Sequence, residues 1–408
     1  MEIRPFSALR PQPEIVAQVA SLPYDVVSTE EARQLTTDNP LSMLNVVRPE
    51  VHFPPEIDPY SDVVYAKAVE YFQKWQEDGT LLREDSPCLY LYEQEMEGRC
   101  QRGIVAKCLT KDYEAGLIKK HEKTRPDKEN DRTRLTSELN AHPGPVFLTY
   151  RDQLRIDALV DAVVSINKPL YNVTAEDGIR HTVWKIQDTA ALVDAFGEVP
   201  YLYVADGHHR AASAARVGRE RREANPHHTG EEDYNSFLCV LFPASQLHIL
   251  GYHRLVKDLN GLSAGEFIEE ARKVGNIEAV ARPELEGPGQ VSFYLEGQWY
   301  RLTWEGSALS SDDPVDVLDV SVLQNQLLAP ILGIEDPRTN NRIEFVGGMR
   351  GSGFLEAAVD SKKSAVAFFL YPVQIGQLLD VADAGLIMPP KSTWFEPKLR
   401  SGFLIHTF

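Results

Sequence analysis

Cysteine is scarce: four in 408 residues, and Cys88, Cys100, Cys108 and Cys239 form no close metal-ligand pair. So few thiols in so long a chain argue against a disulfide framework and suit a reducing cytoplasm. Long apolar runs are missing as well. The opening MEIRPFSALRP has no apolar signal core, and the longest strongly apolar stretch, SAVAFFLYPV, is much too short to cross a bilayer. Neither secretion nor membrane embedding is expected. Positive charge is the third shortage, with 42 Lys and Arg against 60 Asp and Glu and a net charge of -18. The overall field therefore repels nucleic acid and acidic membrane surfaces, and any cationic site has to be local. The G-x-S-x-G elbow, H-E-x-x-H and paired C-x-x-C are absent too, which removes several common hydrolase and zinc chemistries.

What is present describes a globular chain. A hydrophobic fraction of 43% over 408 residues supports one large domain or two ordinary ones. Ser28 or Thr29 caps an acidic-first helix, STEEARQL. After the Pro-rich HFPPEIDPY, the spacing of Val64, Ala68, Phe72 and Trp75 predicts an amphipathic helix that stops at Gly79. CLYLYEQEM and RGIVAKCL, separated by EGRC, read as a β-hairpin. HTVWKI, YLYVA and FLCVLFP are further strands interleaved with helices, so the fold class is α+β (mixed α/β). The division expected is a core over 1–249, including an N-terminal helical insert, and a C-terminal α/β region over 250–408.

One junction concentrates chemistry. In YLYVADGHHRAASAARVGRERR an apolar strand turns into an Ala- and Arg-rich helix through Asp206, Gly207, His208, His209 and Arg210. Such a turn exposes free helix N–H groups and the positive end of the dipole, which together form an anion site. Gly207 permits the turn, the histidines and Arg210 add donors, and Arg grips phosphate oxygens in pairs. Asp206 can hold magnesium, orient a histidine or accept a proton. The plainer alternative is a capped helix with polar residues at its start.

A second candidate is KKHEKTRPDKENDR, where Glu122 sits among Lys119, Lys120, His121, Lys123, Thr124 and Arg125. A carboxylate among cations stays ionised and can accept a hydroxyl proton or bind a metal, while the cations meet phosphate. The alternative is a solvated charged loop. DGIRHTVWKI and FVGGMRGSGF read as structural and His227 and His228 as surface residues, while MPPKSTWFEPKLRSG, with Lys391, Ser392, Thr393 and Lys398 around Trp394 and Phe395, either closes over a ligand or packs the C-terminus, the structural reading being favoured.

Taken together, IRPFSALRP, PYDVVSTEEA, KHEKT with the later DKENDR, YVADGHHRAASA and MPPKSTWFEPK resemble the bacterial and archaeal domain-of-unknown-function family 1015. That family is distantly similar to the ParB and sulfiredoxin superfamily, whose members carry a phosphate-binding G-x-H-R-like turn at a helix start. Gly207, His209 and Arg210 match the turn. The superfamily includes kinases that phosphorylate free serine with a glutamate as base, and Glu122 is the matching position. Sulfiredoxin chemistry would need a cysteine beside the turn, and DNA partition a basic surface and a helix-turn-helix; neither is present.

The resemblance implies a ParB/sulfiredoxin-like core and a cytoplasmic, nucleotide-dependent kinase of free serine or a similar hydroxylated metabolite. A phosphatase acting on a phosphomonoester and a nucleotide-binding regulator without turnover are the alternatives. The expected catalytic group is Glu122 with His121 and Asp206. Phosphate or nucleotide would meet Gly207, His208, His209, Arg210, Lys120, Lys123, Thr124 and Arg125. Magnesium would meet Asp206 and Glu122, and ATP or ADP would be the nucleotide. The expected partner is a small phosphate-containing ligand rather than nucleic acid or membrane, in a chain compatible with a homo-oligomer.

Overall fold

The computed structural model describes residues 1–408, apart from the side chain of Ser307. Contacts divide the chain into two compact units, Met1–Leu247 with Pro397–Phe408, and His248–Glu396. The last twelve residues thus fold with the first unit, a return that a single boundary near 250 does not anticipate.

The main sheet of the first unit has nine strands: β1 (Ile3–Arg4), β2 (Leu89–Met96), β3 (Arg99–Leu109), β4 (Ile118–Lys119), β5 (Val146–Tyr150), β6 (Tyr171–Thr174), β7 (Arg180–Ile186), β8 (Leu202–Asp206) and β9 (Ser236–Pro243). They lie in the order β4-β8-β5-β9-β3-β2-β7-β6, with β1 also on β3. The pairs β4/β8 and β5/β9 are parallel and the others antiparallel, so the sheet is mixed and the class is α+β. The β2/β3 hairpin turns on Glu97 and Gly98, both at positive φ (53° and 78°). That two-residue turn matches the twist of the strands. It is tighter than the four-residue EGRC connection suggests, because Arg99 and Cys100 already pair with Met96 and Glu95.

β9 is buried at every position, as a central strand covered on both faces must be. Its Phe237, Cys239 and Leu241 pack with Leu91, Ile104 and Val204 in one core. A second apolar cluster lies under the N-terminal helices α1 (Thr29–Thr37) and α2 (Asp62–Glu77). Ser28 and Glu31 form a reciprocal cap on α1. Val64, Ala68, Phe72 and Trp75 are all buried along α2, and the chain leaves it through Gly79 at φ 78°.

The charge run departs from the loop alternative, since Pro126–Leu139 is a helix, α3. Pro126 begins it where its missing N–H costs nothing, and Asp127 and Glu129 complement the dipole in its first turn. Leu135 and Leu139 enter the second cluster. Helices α4 (Leu154–Ile166), α5 (Ala190–Gly197) and α6 (His208–Ala224) give Ile156, Phe196 and Ala211 to the main core.

The second unit is an antiparallel six-stranded sheet with helices Ala264–Ala271, Gly351–Asp360 and Ile375–Asp383 among its elements. SAVAFFLYPV supplies its buried strand Val366–Leu370. In FVGGMRGSGF, a strand ending at Gly347 leads to the helix beginning at Gly351. Gly347 is pressed under Trp394, where an added Cβ would come within 2.7 Å of the indole. Among the described residues no helix is long and apolar enough to cross a membrane.

The first unit buries several neutral imidazoles. Burial is the leading cause in each case, taking His121 to about 4, His181 and His406 to about 3, and His142 and His208 well below the ordinary value. Because the unfolded chain binds these protons near pH 6.5, stability is fully present above that pH and is lost as pH falls toward the folded-state values. Urea denaturation of the full chain should show a plateau above pH 7 and a decline from about pH 6.5 to 4, up to about 1.4 kcal/mol per pH unit for each histidine. A flat profile through this range would contradict the burial of these rings.

Candidate phosphate site

The site is built where β8 ends. β4 runs parallel to β8, with Leu202 opposite Ile118 and Tyr203 opposite Lys119. Both strands therefore point their C-terminal ends the same way, and the segments after them, KHEKT and DGHHR, emerge side by side. Crevices at such ends are where open α/β sheets bind ligands. On the other flank β5 is antiparallel, so its beginning lies at the same edge, with Phe147 opposite Asp206. The register slips between Val204 and Asp206, a bulge that ends the strand just before the turn.

Gly207 sits at φ 89°, ψ 32° and is the N-cap of the 17-residue helix α6. Only glycine adopts this conformation freely. The Arg210 guanidinium folds back over it, so that a Cβ here would lie 3.0 Å from Arg210 Cζ. Arg210 Nη1 donates to the Pro145 carbonyl, while its buried Nε has no hydrogen-bond partner. Gly144 fits beside this arm, with its Cβ position 2.6 Å from Ser401 Oγ and 3.9 Å from Arg210 Nη1.

Asp206 holds the turn from below. Its Oδ1 accepts from the Gly207 N–H at 2.8 Å, and its Oδ2 pairs with Lys398 Nζ at 3.3 Å. Burial pushes this carboxyl up, but Lys398 and Arg210 outweigh it and hold the group well below the usual carboxylate range. His208 is buried at the first helical position, and its Nε2 has no hydrogen-bond partner. Its Nδ1 lies 3.7 Å from Glu122 Oε2, close but outside hydrogen-bond range. Burial first, then the neighbouring His121, keep it neutral. His121 stands edge-on to it, ring centres 4.5 Å apart.

The other predicted residues divide. His209 Nε2 accepts from the Arg125 N–H at 3.0 Å, tying the N-cap of α3 to the first turn of α6. That acceptor role requires the neutral ring, so this nitrogen is not the phosphate donor expected from sequence. The Arg125 guanidinium pairs with Asp127, and Thr124 Oγ1 donates to Glu129 at 2.7 Å. Lys123 is exposed, and Lys120 lies over the Tyr113 ring at 4.6 Å. The structure thus brings Glu122, His121, Asp206, Gly207, His208 and Arg210 together. It turns the side chains of Thr124 and Arg125 to partners within their own segment.

Two contributions were not assigned from sequence, the pairing of Lys398 with Asp206 and the backbone carbonyl of Pro145. Lys398 reaches Asp206 across 192 residues, and the Pro145 carbonyl fixes Arg210. Local pattern carries no sign of either, apart from the small and proline residues of HPGP. The chemistry on offer is anion binding: a free helix N-terminus, an unpartnered guanidinium N–H and a neutral imidazole. Magnesium fits less well. Asp206 is already bound by Lys398 and the Gly207 N–H, and among the described residues no group of three or more His, Cys, Asp and Glu could hold a metal ion.

Fold and site together describe an α+β protein whose strand-helix junction gathers a positive-φ glycine, a buried guanidinium N–H and a neutral imidazole. Residues 3–321 match the family described as protein of unknown function (DUF1015), and the chain belongs to that family. No curated protein matches. Among solved structures, SbnI with C-terminal truncation from Staphylococcus aureus is 10% identical, with a TM-score of 0.39, covering 73% of this chain and 85% of that one. A free serine kinase in complex with AMP is 11% identical, with a TM-score of 0.37 and coverage of 74% and 91%. A conserved hypothetical protein from Pyrococcus furiosus is 11% identical, with a TM-score of 0.36 and coverage of 74% and 94%. Likeness at these scores leaves activity to be reasoned from the site.

Gly207→Ala should cost about 1–2 kcal/mol in urea denaturation and abolish inorganic phosphate binding, because the new Cβ meets both a positive φ and Arg210. A variant that binds phosphate as the parent does would refute the role given to the turn. Lys398→Met should cost about 2 kcal/mol at pH 7 by leaving Asp206 without its ammonium, and should lose less at pH 3, where the carboxyl can take up a proton.

Proposed function

We propose that this protein is a nucleotide-dependent phosphotransferase that moves a phosphoryl group onto the hydroxyl of a small metabolite. The observation that carries the reading is the meeting of an acid and an anion turn: Glu122 Oε2 lies 3.7 Å from His208 Nδ1, at the start of a helix whose Arg210 Nε and His208 Nε2 are buried without partners. Phosphoryl transfer needs little covalent help from a protein; it needs positioned donors around the phosphate and a base for the acceptor. Backbone N–H groups of the α6 first turn, Arg210 Nε and the His208 imidazole supply the donors.

Glu122 takes the proton as the acceptor oxygen bonds to phosphorus and the bond from phosphorus to the nucleotide's bridging oxygen breaks. ATP leaves as ADP, or ADP as AMP. His121 acts through His208, filling the space behind the ring so that it stays neutral and fixed. Asp206 acts through the backbone, holding Gly207 in the turn. Lys120 and Lys123 flank Glu122 in the chain and add positive charge where phosphate oxygens arrive. No step is assigned to a metal.

Phosphorus NMR of the full chain with ATP or ADP and a panel of small hydroxylated acceptors, serine included, should reveal a new phosphomonoester. Glu122→Gln should reduce turnover by about 10²–10⁴-fold and leave nucleotide affinity intact. Loss of nucleotide binding in a folded Glu122→Gln variant would contradict the base role. Inorganic phosphate released from phosphoserine without nucleotide would replace transfer with hydrolysis.

A further inference from the structure

A second recess lies on α3, beyond the residues that meet the phosphate turn. It is a cavity of about 100 Å³ whose charged lining is Arg48, Glu50, Lys128, Asp131 and Arg132, closed by tyrosine rings that include Tyr65. Four of the five charges cancel in pairs. Arg48 Nε meets Glu50 at 2.7 Å, while its Nη2 donates to Thr29 Oγ1 at 2.7 Å. Arg132 Nη2 donates to Asp131 Oδ2 at 2.7 Å, and Asp131 Oδ1 accepts from the Tyr65 hydroxyl at 2.8 Å. Lys128 is the remainder. It is half-buried on the cavity wall, and its ammonium has no hydrogen-bond or ion-pair partner among the described residues.

An ammonium in a recess walled by rings and neutralised pairs attracts an anion more strongly than one in open water. The charge count selects the anion. One surplus positive charge balances a single negative charge, and the Glu50 and Asp131 carboxylates in the same wall oppose a phosphate dianion. The volume admits a molecule of a few carbons, and aromatic rings suit its carbon face.

We propose that this cavity binds the carboxylate of a small hydroxylated acid, with Lys128 as its counter-ion and the Arg48/Glu50 and Arg132/Asp131 pairs as rigid walls. Helix α3 links the cavity to the phosphate turn, since Arg125 at its N-cap meets His209 and Lys128 follows in the same first turn. Tyr24, another lining residue, feels the charge of Arg210. That the bound acid is the phosphoryl acceptor rests on the phosphotransfer reading; the carboxylate site does not.

Isothermal titration of the full chain with D-glycerate, L-serine and neutral glycerol tests the site, with ADP titrated separately. At least one of the two carboxylates should bind and glycerol should not; which one binds tells whether an amino group is also recognised. Lys128→Met should weaken that binding by about tenfold or more, Lys128→Arg should restore most of it, and both should leave ADP affinity unchanged. Failure of both carboxylates to bind the parent chain, equal binding of glycerol, or an unaltered affinity in Lys128→Met would overturn the proposal. Carboxylate binding without any ADP binding would instead defeat the phosphotransfer reading and leave the site standing.

Discussion

The organisation of the first unit depends on how one carboxylate is neutralised. Asp206 ends a buried strand at a point where the chain must reverse into a helix, and a bare carboxylate there would be a buried charge without a partner. It is bound on one oxygen by the Gly207 N–H and on the other by Lys398. Its charge therefore shapes the backbone instead of confronting a ligand. Arg210 adds to the same balance, lying over Gly207 and lowering the acidity range of Asp206 while keeping one N–H unspent. A buried ion pair contributes little net stability, but it makes conformations that break it costly. Here the conformation so protected is a glycine at φ 89°.

Strand direction explains why the two charged segments share one place. β4 is only Ile118–Lys119, yet its parallel pairing with β8 decides that His121 and Glu122 leave the sheet beside His208. An antiparallel pairing would have sent them to the opposite edge. The contact between Arg125 and His209 then carries the alignment into α3, so that one helix lies against both the phosphate turn and the Lys128 cavity. A neutral His209 is part of that join, as neutral His208 and His121 are part of the turn. The site consequently relies on the His208 and His121 imidazoles, which burial keeps uncharged, in a protein whose net charge of -18 gives it no general attraction for phosphate.

Much of this was legible in the residues, for identifiable reasons. The strand-turn-helix around Asp206 to Arg210 is a local pattern, in which an apolar run, a glycine and a polar helix start follow one another within a few positions. The period of Val64, Ala68, Phe72 and Trp75 is equally local, and all four are buried. The helix Pro126–Leu139 was harder to read because its charges obscure a narrow apolar stripe of Leu135 and Leu139. Its signals were the proline at the first position and the acids after it. Lys398 stood out only as one of several polar residues in a segment able to close over a ligand; its pairing with Asp206 was illegible, since nothing within that segment records a partner 192 residues earlier. The Pro145 carbonyl is a backbone group and has no signature in side-chain identity.

The same distinction bears on where the chemistry of such a chain is to be found. A motif announces itself when its groups are neighbours in sequence, as Asp206 to Arg210 are. A recess such as that around Lys128 gathers its walls from four separated stretches, and its two ion pairs look like ordinary structural pairs when met singly. Only their cancellation exposes the odd charge. Pairing the charges of the cavity against one another therefore isolates a single ammonium, and that ammonium, on the helix that also meets the phosphate turn, makes the recess a candidate for substrate recognition instead of a fault in packing.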